Sequence, residues 1–245
     1  MMFIVPNWPV PNNIRAISSI REGGVSAEPY ASLNVGMHVG DSEQDVTTNR
    51  VRLARASKMP SAPVWLNQTH SNTVLELENA TDEVLDADAS FTRTPGVVCA
   101  AMTADCLPVL LADEQGRQVA AVHAGWRGLA DGIIENAVSQ FSGKVMAWLG
   151  PAIGPDAFEV GQDVYDEFVG RYLEAKSAFK QSANNDDKFF ADMHQLATQA
   201  LNRAGVTNIS RDTRCTYSNP EQFFSYRRDG QTGRQVTCIW MEETS

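Results

Sequence analysis

The sequence lacks long apolar runs and is poor in both cysteine and histidine. Its 245 residues include four cysteines and four histidines, and no uninterrupted apolar stretch approaches the ~20 residues of a membrane-spanning helix. The N-terminal MMFIVPNWPVPNN has no basic leader and only a short apolar run, which is not the pattern of a secretory signal. We therefore expect a cytoplasmic protein whose cysteines are free thiols rather than disulfides.

Several common site motifs are also missing. The chain has no glycine-rich dinucleotide fingerprint, no P-loop and no HExxH helix, and it lacks the H-x-E and P-C-x-x-C pair of the zinc deaminases. A multicopper oxidase requires a blue-copper site of two histidines and a cysteine, together with a histidine-rich copper cluster. The histidines His38, His70, His123 and His194 are too few for both, which argues against multicopper oxidase chemistry.

Positive charge is in the minority, because 20 lysines and arginines stand against 30 aspartates and glutamates, for a formal net charge of -10. Such a surface repels phosphate backbones and acidic lipids, so we expect neither nucleic acid nor a membrane surface as a partner. A small anionic substrate remains compatible, since a local cluster of arginines can bind it. With 43% hydrophobic residues the chain can bury a sizeable core, and we expect one catalytic domain over residues 1–245, acting as a monomer.

Hydrophobic periodicity predicts three helices, at residues 42–57, 129–141 and 193–204. Ser42 and Asp45 have the spacing of a helix start in the first, and Gly205 occupies a C-cap position after the third. Apolar segments predict strands at residues 97–102, 107–112, 119–123, 145–149 and 235–241.

The order of these elements indicates the fold class. The turn at residues 113–116 predicts a hairpin between the strands on either side of it, whereas the polar segment 176–188 predicts a surface loop. Because strands occur in adjacent pairs beside separated helices, we predict an α/β (α+β) fold with a layered mixed sheet and flanking helices.

Three reactive side chains lie at the ends of predicted strands, where a rigid scaffold can hold functional groups. His70 follows an apolar run in WLNQTHS, Cys106 lies between two strands in MTADCLPVLL, and His123 ends a strand in VAAVHAGWRG. Two imidazoles and a thiolate suit zinc, and three protein ligands leave the open position of a catalytic zinc site. Two alternatives remain open, a metal-free Cys–His nucleophilic pair and a structural cysteine with two hydrogen-bonded histidines.

Arginines near glycines and aromatic residues form a second group of candidates. Arg127 lies in the Gly125–Gly128 segment at a predicted helix start, where backbone amides can bind an anion such as phosphate. Arg227 and Arg228 lie between aromatic residues in FFSYRRDG, and guanidinium groups bind phosphate or carboxylate in a bidentate manner. The competing interpretation of the last two is an edge strand with solvated arginines.

At these residues the sequence resembles the YfiH family, once described as laccase-like polyphenol oxidases and including the laccase-domain proteins of animals. The shared motifs follow one another over nearly the whole chain: REGGVSAEPYASLNVG and HVGD within 21–41, NQTHS at 67–71, ADAS at 87–90, TADCLPVLLAD at 103–113, AAVHAGWRGL at 120–129, AWLGPAIGP at 147–155, FEVG at 158–161 and FFSYRRDGQTGR at 223–234.

The resemblance implies a layered fold similar to the catalytic domain of cytotoxic necrotizing factor, with one zinc bound by His70, Cys106 and His123. It also implies phosphorolysis of adenosine, inosine and methylthioadenosine, and deamination of adenosine. For some bacterial relatives it implies instead an amide hydrolase that edits cytoplasmic peptidoglycan precursors. Gln68 and Asp105 flank ligands and are expected to orient or polarise them, although capping of a turn is an equal interpretation of Asp105.

The remaining cysteines and histidines are expected to lie outside the metal site. Cys99 and Cys238 occur in apolar strands and Cys215 in no motif, while His194 belongs to a predicted helix. His38 is the exception, because its GMHVGD segment belongs to a shared motif and is expected near the pocket wall.

Overall fold

The structure, a computed structural model, describes residues 2–183 and 185–243, which form mixed β-sheets with flanking helices. The strands are β1 (Phe3–Ile4), β2 (Ile14–Ser19), β3 (Pro63–Val64), β4 (Leu66–Asn67), β5 (Val74–Glu76), β6 (Leu85–Asp86), β7 (Ala89–Thr92), β8 (Val98–Thr103), β9 (Leu107–Asp113), β10 (Val119–Ala124), β11 (Val145–Leu149), β12 (Glu159–Gly161), β13 (Phe179–Gln181), β14 (Lys188–Ala191), β15 (Asn208–Arg211) and β16 (Gln235–Met241). The helices are α1 (Glu43–Ala56), α2 (Trp126–Ala130), α3 (Ile133–Ser139), α4 (Gln162–Arg171), α5 (Met193–Arg203) and α6 (Tyr226–Asp229), with 3₁₀ turns at Met37–Val39 and Leu173–Ala178.

Two larger sheets make up the centre of the molecule. One has the order β1-β2-β16-β8-β3 and the other the order β15-β11-β9-β10-β7-β5. Their central pairs are antiparallel, whereas β3, β5 and β15 join their neighbours in parallel. A three-stranded sheet (β12-β14-β13) and a two-stranded one (β4-β6) complete the described topology. This mixed arrangement confirms the predicted fold class.

Alternation along β9 shows how the layers stack. Leu110 and Ala112 pack in a buried cluster with residues of the other large sheet, including Ile239 of β16. Val109 and Leu111 pack on the opposite side in a cluster that includes residues of α2, α3, α4 and α5. A strand that packs on both faces has a continuous run of apolar residues. The sequence therefore predicted this strand correctly.

Two of the three predicted helices are confirmed and one is divided. The Ser42 hydroxyl accepts a hydrogen bond from the Asp45 amide at the start of α1. Gly205 takes a φ of 82° just after α5, as a C-cap glycine does. The predicted helix at 129–141 is instead split into α2 and α3, because Gly132 between them takes a φ of 85° that interrupts the helical backbone.

The five predicted strands are present as β8, β9, β10, β11 and β16, and the hairpin between β9 and β10 is confirmed. The predicted loop at 176–188 is wrong in part: Phe179–Gln181 forms β13 and pairs with β14, because Phe179 of β13 and Phe189 of β14 both pack on Tyr165. Asn184 lies outside the described residues. Within the part of the chain that is described, no helix is long and apolar enough to cross a membrane.

Candidate metal centre and its pocket

Three side chains from separate elements converge at one edge of the two large sheets. His70 follows β4, Cys106 joins β8 to β9, and His123 lies near the end of β10. Their candidate ligand atoms all lie within 4.8 Å of one another, and Cys106 Sγ is 3.8 Å from His70 Nε2. The burial is graded, since His70 is exposed, Cys106 is half-buried and His123 is 4% exposed. The arrangement leaves one side of the group open to the pocket.

Close approach of the backbone makes this convergence possible. A Cβ atom at Gly125 would lie 2.5 Å from His70 Cδ2 and 3.3 Å from Cys106 Sγ, so any larger residue there would displace the ligands. His70 and Asp105 adopt φ values of 63° and 100°, in a region that non-glycine residues rarely occupy. Backbone strain of this kind clusters at functional sites.

Asp88 is the buried residue that connects the two histidines. Its Oδ2 accepts hydrogen bonds from the amides of Thr69 and Ser71, at 3.1 and 2.7 Å, and from the Ser71 hydroxyl. Its Oδ1 accepts from the His70 amide at 3.0 Å and lies 2.7 Å from His123 Nδ1. A proton held on Nδ1 leaves Nε2 of His123 as the nitrogen able to bind a metal.

The charged forms of Asp88, Cys106 and His123 stabilise one another. Burial alone would raise the pKa of Asp88, but hydrogen bonds from His123 and Ser71 outweigh it and lower that pKa to about 2. Burial would likewise raise the pKa of Cys106, yet the charge and hydrogen bond of His123, with the help of His70, lower it to about 6. Burial would lower the pKa of His123, but the Cys106 thiolate and Asp88 outweigh it and raise that pKa to about 9. Cys106 is thus a thiolate near neutral pH, the form that binds metals.

Gln68 and Asp105 form hydrogen bonds with other segments of the chain and not with the side chains of the candidate metal ligands. The Gln68 amide pairs with β8, donating to the Met102 carbonyl at 2.7 Å and accepting from the Met102 amide at 2.8 Å. Asp105 accepts the Thr216 hydroxyl at 2.6 Å and the Arg227 amide at 2.7 Å. Both partners of Asp105 lie more than 100 residues away along the chain, so its carboxylate connects distant segments to the β8–β9 junction.

The group opens into a cavity of about 530 Å³. Arg127 and Arg227 line it, the first with its guanidinium 4.4 Å from the Trp126 ring centre and the second 5.4 Å from that of Phe158. Arg228 is placed differently from the expectation, because all three of its guanidinium nitrogens donate to backbone carbonyls or to Asp229.

Sequence reasoning missed several residues of this site. Asp88 was only part of the ADAS motif, and its pairing with a histidine 35 positions away leaves no local signal. Arg234, the last residue of a shared motif, and Tyr226 also line the pocket. His38 was not missed, because it lines the pocket from its 3₁₀ turn, near the wall where it was expected. Arg234 could have been selected because it belongs to a shared motif and has no predicted role in a helix, strand or turn.

The other thiols and His194 lie in different surroundings. Burial raises the pKa of Cys99 to about 12 and raises that of Cys238 still further. The Cys215 sulfur accepts the Gly154 amide at 3.1 Å. His194 is buried, with its Nε2 3.0 Å from the Gly150 carbonyl, and burial lowers its pKa. None of these four residues belongs to the metal-ligand group among the described residues.

Comparison with known proteins places this geometry among relatives of nearly equal length. Residues 15–242 match the family model described as multi-copper polyphenol oxidoreductase laccase. The purine nucleoside phosphorylase YfiH of Escherichia coli is 52% identical over 241 residues, covering 97% of this chain and 98% of the relative. A purine nucleoside phosphorylase of Haemophilus influenzae is 49% identical over 245 residues, covering 99% and 100%.

Solved structures show the same fold. The crystal structure of a Neisseria meningitidis protein matches with a TM-score of 0.94 and 45% identity, covering 99% of this chain and 100% of that one. The crystal structure of the YfiH protein of Bacillus licheniformis matches with a TM-score of 0.88 and 30% identity, covering 94% of each chain.

Proposed function

We propose that this chain, which belongs to the laccase-like polyphenol oxidoreductase family that includes the YfiH proteins, is a zinc-dependent purine nucleoside phosphorylase. Its inferred reactions are phosphorolysis of adenosine, inosine and methylthioadenosine, and deamination of adenosine. The observation that carries the proposal is a single pocket shared by the His70–Cys106–His123 group and by arginines without carboxylate partners among the described residues. The names of the relatives support the same substrate class.

The donor set fits zinc. Two imidazoles and a thiolate are ligands that zinc prefers, and three protein ligands are typical of a catalytic site. Asp88 orients His123 through its Nδ1, as carboxylates do behind zinc-binding histidines. When bound, zinc would supply Lewis-acid polarisation and would lower the pKa of water in the pocket.

A multicopper centre has less support despite the family description. Within residues 2–183 and 185–243, the only group of three or more His, Cys, Asp or Glu side chains placed to hold a metal is this one. Multicopper oxidases need a blue-copper site and a separate copper cluster. The side chains therefore favour a mononuclear centre.

The pocket walls offer what phosphorolysis requires. In that reaction a phosphate oxygen bonds to the anomeric carbon of the ribose while the N-glycosidic bond breaks, and the purine leaves with a proton. Trp126, Phe158 and Tyr226 present aromatic surfaces in the pocket, against which a purine can stack. The guanidinium groups of Arg127 and Arg227 supply positive charge for the phosphate.

One observation favours a second candidate, hydrolysis of an amide in a cytoplasmic peptidoglycan precursor. Cys106, His123 and Asp88 have the order of a nucleophile, a base and an orienting carboxylate. Such an arrangement works without a metal. The two candidates therefore differ in their dependence on zinc.

Purified protein incubated with adenosine, with and without phosphate, tests the first candidate. Ribose 1-phosphate and adenine formed only with phosphate support phosphorolysis, and inosine formed without phosphate supports deamination. Both activities should disappear on chelation and return with zinc. Cleavage of a muropeptide precursor that survives chelation supports the second candidate, and absence of all these products contradicts both.

A further inference from the structure

Arg234 is a half-buried cation of the pocket that forms no ion pair among the described residues. Its NH1 donates to the carbonyls of Thr232 and Gly233, at 3.1 and 3.0 Å. Within residues 2–183 and 185–243 it forms no ion pair with a carboxylate. Partial burial of a positive charge is unfavourable unless an anion compensates it. Burial lowers the pKa of Arg234, and the charges of Cys106 and Asp105 offset this only in part. An anion from solution would therefore stabilise the guanidinium further.

Arg228, which is also half-buried, shows the alternative arrangement. Asp229 pairs with its guanidinium at 2.8 Å, and the carbonyls of Thr216 and Phe223 accept its other N–H groups. This arginine is neutralised within the fold and lies outside the pocket lining. The contrast indicates that Arg234 is not merely another structural arginine.

The position of Arg234 is fixed independently of any ligand. Its amide donates to Asn34 Oδ1 at 2.9 Å, and its carbonyl accepts from the Val35 amide at 3.1 Å. Its aliphatic stem passes over Gly36, where a Cβ atom would lie 2.8 Å from Arg234 Cγ. A guanidinium held in this way loses little further freedom when it binds an anion.

Thr103 provides a second, independent observation at the same place. It lines the pocket and is 2% exposed, yet its hydroxyl has no hydrogen-bond partner among the described residues. It pairs with Gln235 in the β8–β16 register, directly beside Arg234. A buried hydroxyl without a partner is unfavourable, and a bound ligand would satisfy it.

His38 adds a third polar group to this part of the pocket. It lines the same cavity from its 3₁₀ turn. Burial, followed by the charges of Arg234 and Arg50, lowers the pKa of His38. A neutral imidazole in this positive field can donate one N–H to an anion.

We propose that Arg234, Thr103 and His38 form a binding site for a phosphate group beside the candidate metal centre. A phosphate accepts several hydrogen bonds at once, and the guanidinium, hydroxyl and imidazole are suitable donors. The group is either free orthophosphate, the attacking species of phosphorolysis, or a phosphate ester carried by the substrate. The assignment rests on the proposed function, because it adds these three residues to Arg127 and Arg227, which line the same cavity, as groups that bind the phosphate of that reaction.

Calorimetric titration of the zinc-loaded protein with orthophosphate, and separately with adenosine 5′-monophosphate, tests the site. Arg234→Gln should weaken binding by at least about tenfold, since hydrogen bonds to a charged group are lost. Arg52→Gln is the matched control, because Arg52 is exposed on α1 and carries the same charge. The Arg52→Gln variant should bind both ligands with the affinity of the wild type.

Thr103→Val separates binding from structure. The variant should bind phosphate several-fold more weakly, yet unfold at the same or a higher temperature, because the hydroxyl has no partner in the ligand-free protein. A purely structural threonine would lose stability and leave phosphate affinity unchanged. If Arg234→Gln does not fold, Arg234→Lys keeps the charge without the planar fork and should bind with intermediate affinity.

The two ligands distinguish the sources of the phosphate. Weaker orthophosphate binding assigns the site to the free ion, and weaker binding of the nucleotide alone assigns it to a substrate phosphate. Unchanged affinity for both overturns the site. Normal phosphorolysis with an unchanged KM for phosphate in Arg234→Gln would overturn the site but leave the proposed function. Phosphate binding that depends on Arg234, without any phosphorolysis, would support the site and contradict the proposed function.

Discussion

Cys99 and Cys106 lie close together in the chain but in opposite chemical surroundings. Cys99 is within β8, fully buried between the two large sheets, and burial raises its pKa to about 12. Cys106 lies just beyond the end of the same strand, where His123 and His70 lower its pKa to about 6. The strand interior buries a thiol among apolar neighbours, whereas the strand end places it beside imidazoles. Reactivity in this fold is thus set by position along a strand.

The largest difference between the two thiols should appear in metal binding. Cys106→Ala removes one of three proposed ligands, so zinc affinity should fall by more than about 100-fold while the fold is kept. Elemental analysis and chelator competition measure this, with circular dichroism to verify folding. Cys99→Ala is the matched control and should keep full zinc content. Full occupancy in Cys106→Ala would refute the ligand assignment.

Asp88→Asn sharpens the comparison because it changes the surroundings of the site without replacing any of the three candidate metal ligands. The amide loses the negative charge that holds the His123 proton on Nδ1 and accepts fewer of the amides at 69–71. We expect zinc affinity to fall by about 10- to 100-fold, the usual effect of removing such a partner. Chelator competition provides the value. An affinity equal to that of the wild type would show that Asp88 only supports the loop.

The pH dependence of alkylation should separate the thiols in metal-free protein. Because its pKa is about 6, Cys106 should gain reactivity with iodoacetamide as the pH rises through 6 and level off near pH 7. An ordinary thiol, with a pKa of about 8.5, gains reactivity through that pH and levels off only about one pH unit higher. Cys99, whose pKa is raised to about 12, should stay unmodified throughout. Peptide mass spectrometry identifies the labelled sites, and labelling of Cys99 before Cys106 would reverse the comparison.

The smallest effect is expected from Cys99→Ala in the presence of metal. Removing a buried sulfur from the layer between the sheets should lower the free energy of unfolding by about 1 kcal/mol, through lost packing alone. Denaturant unfolding measures it. Turnover and zinc content should be unchanged, and loss of zinc would mean that this core supports the site directly.

The central strands and two of the helices could be predicted because each carries its own pattern. The buried strand β9 is apolar throughout, and α1 and α5 have capping residues and apolar faces. Strand β2 was missed since its sequence IRAISS mixes one arginine and two serines into a short run. Its place beside β16 is fixed by pairing with a strand more than 200 residues away, which no local pattern reveals.

The metal-ligand group of the candidate site could be predicted because its residues are reactive side chains at the ends of predicted strands. His70, Cys106 and His123 were found in that way, and the structure brings them together. Asp88, Thr103 and Arg234 depend on contacts between distant segments: a carboxylate below two loops, an unpaired hydroxyl and a guanidinium over Gly36. These contacts arise from tertiary packing, so the roles of the three residues could not be predicted from local patterns, although all three lie in shared motifs.

The position of Cys106 between β8 and β9 has a thermodynamic consequence. These strands belong to different large sheets, and His70 and His123 reach the same point from two further elements. A metal held by all three would cross-link the sheets and would bind the folded chain far more tightly than the unfolded one. Each tenfold increase in free metal above its dissociation constant would then add about 1.4 kcal/mol to the folding free energy. The melting temperature would therefore rise with the concentration of free metal.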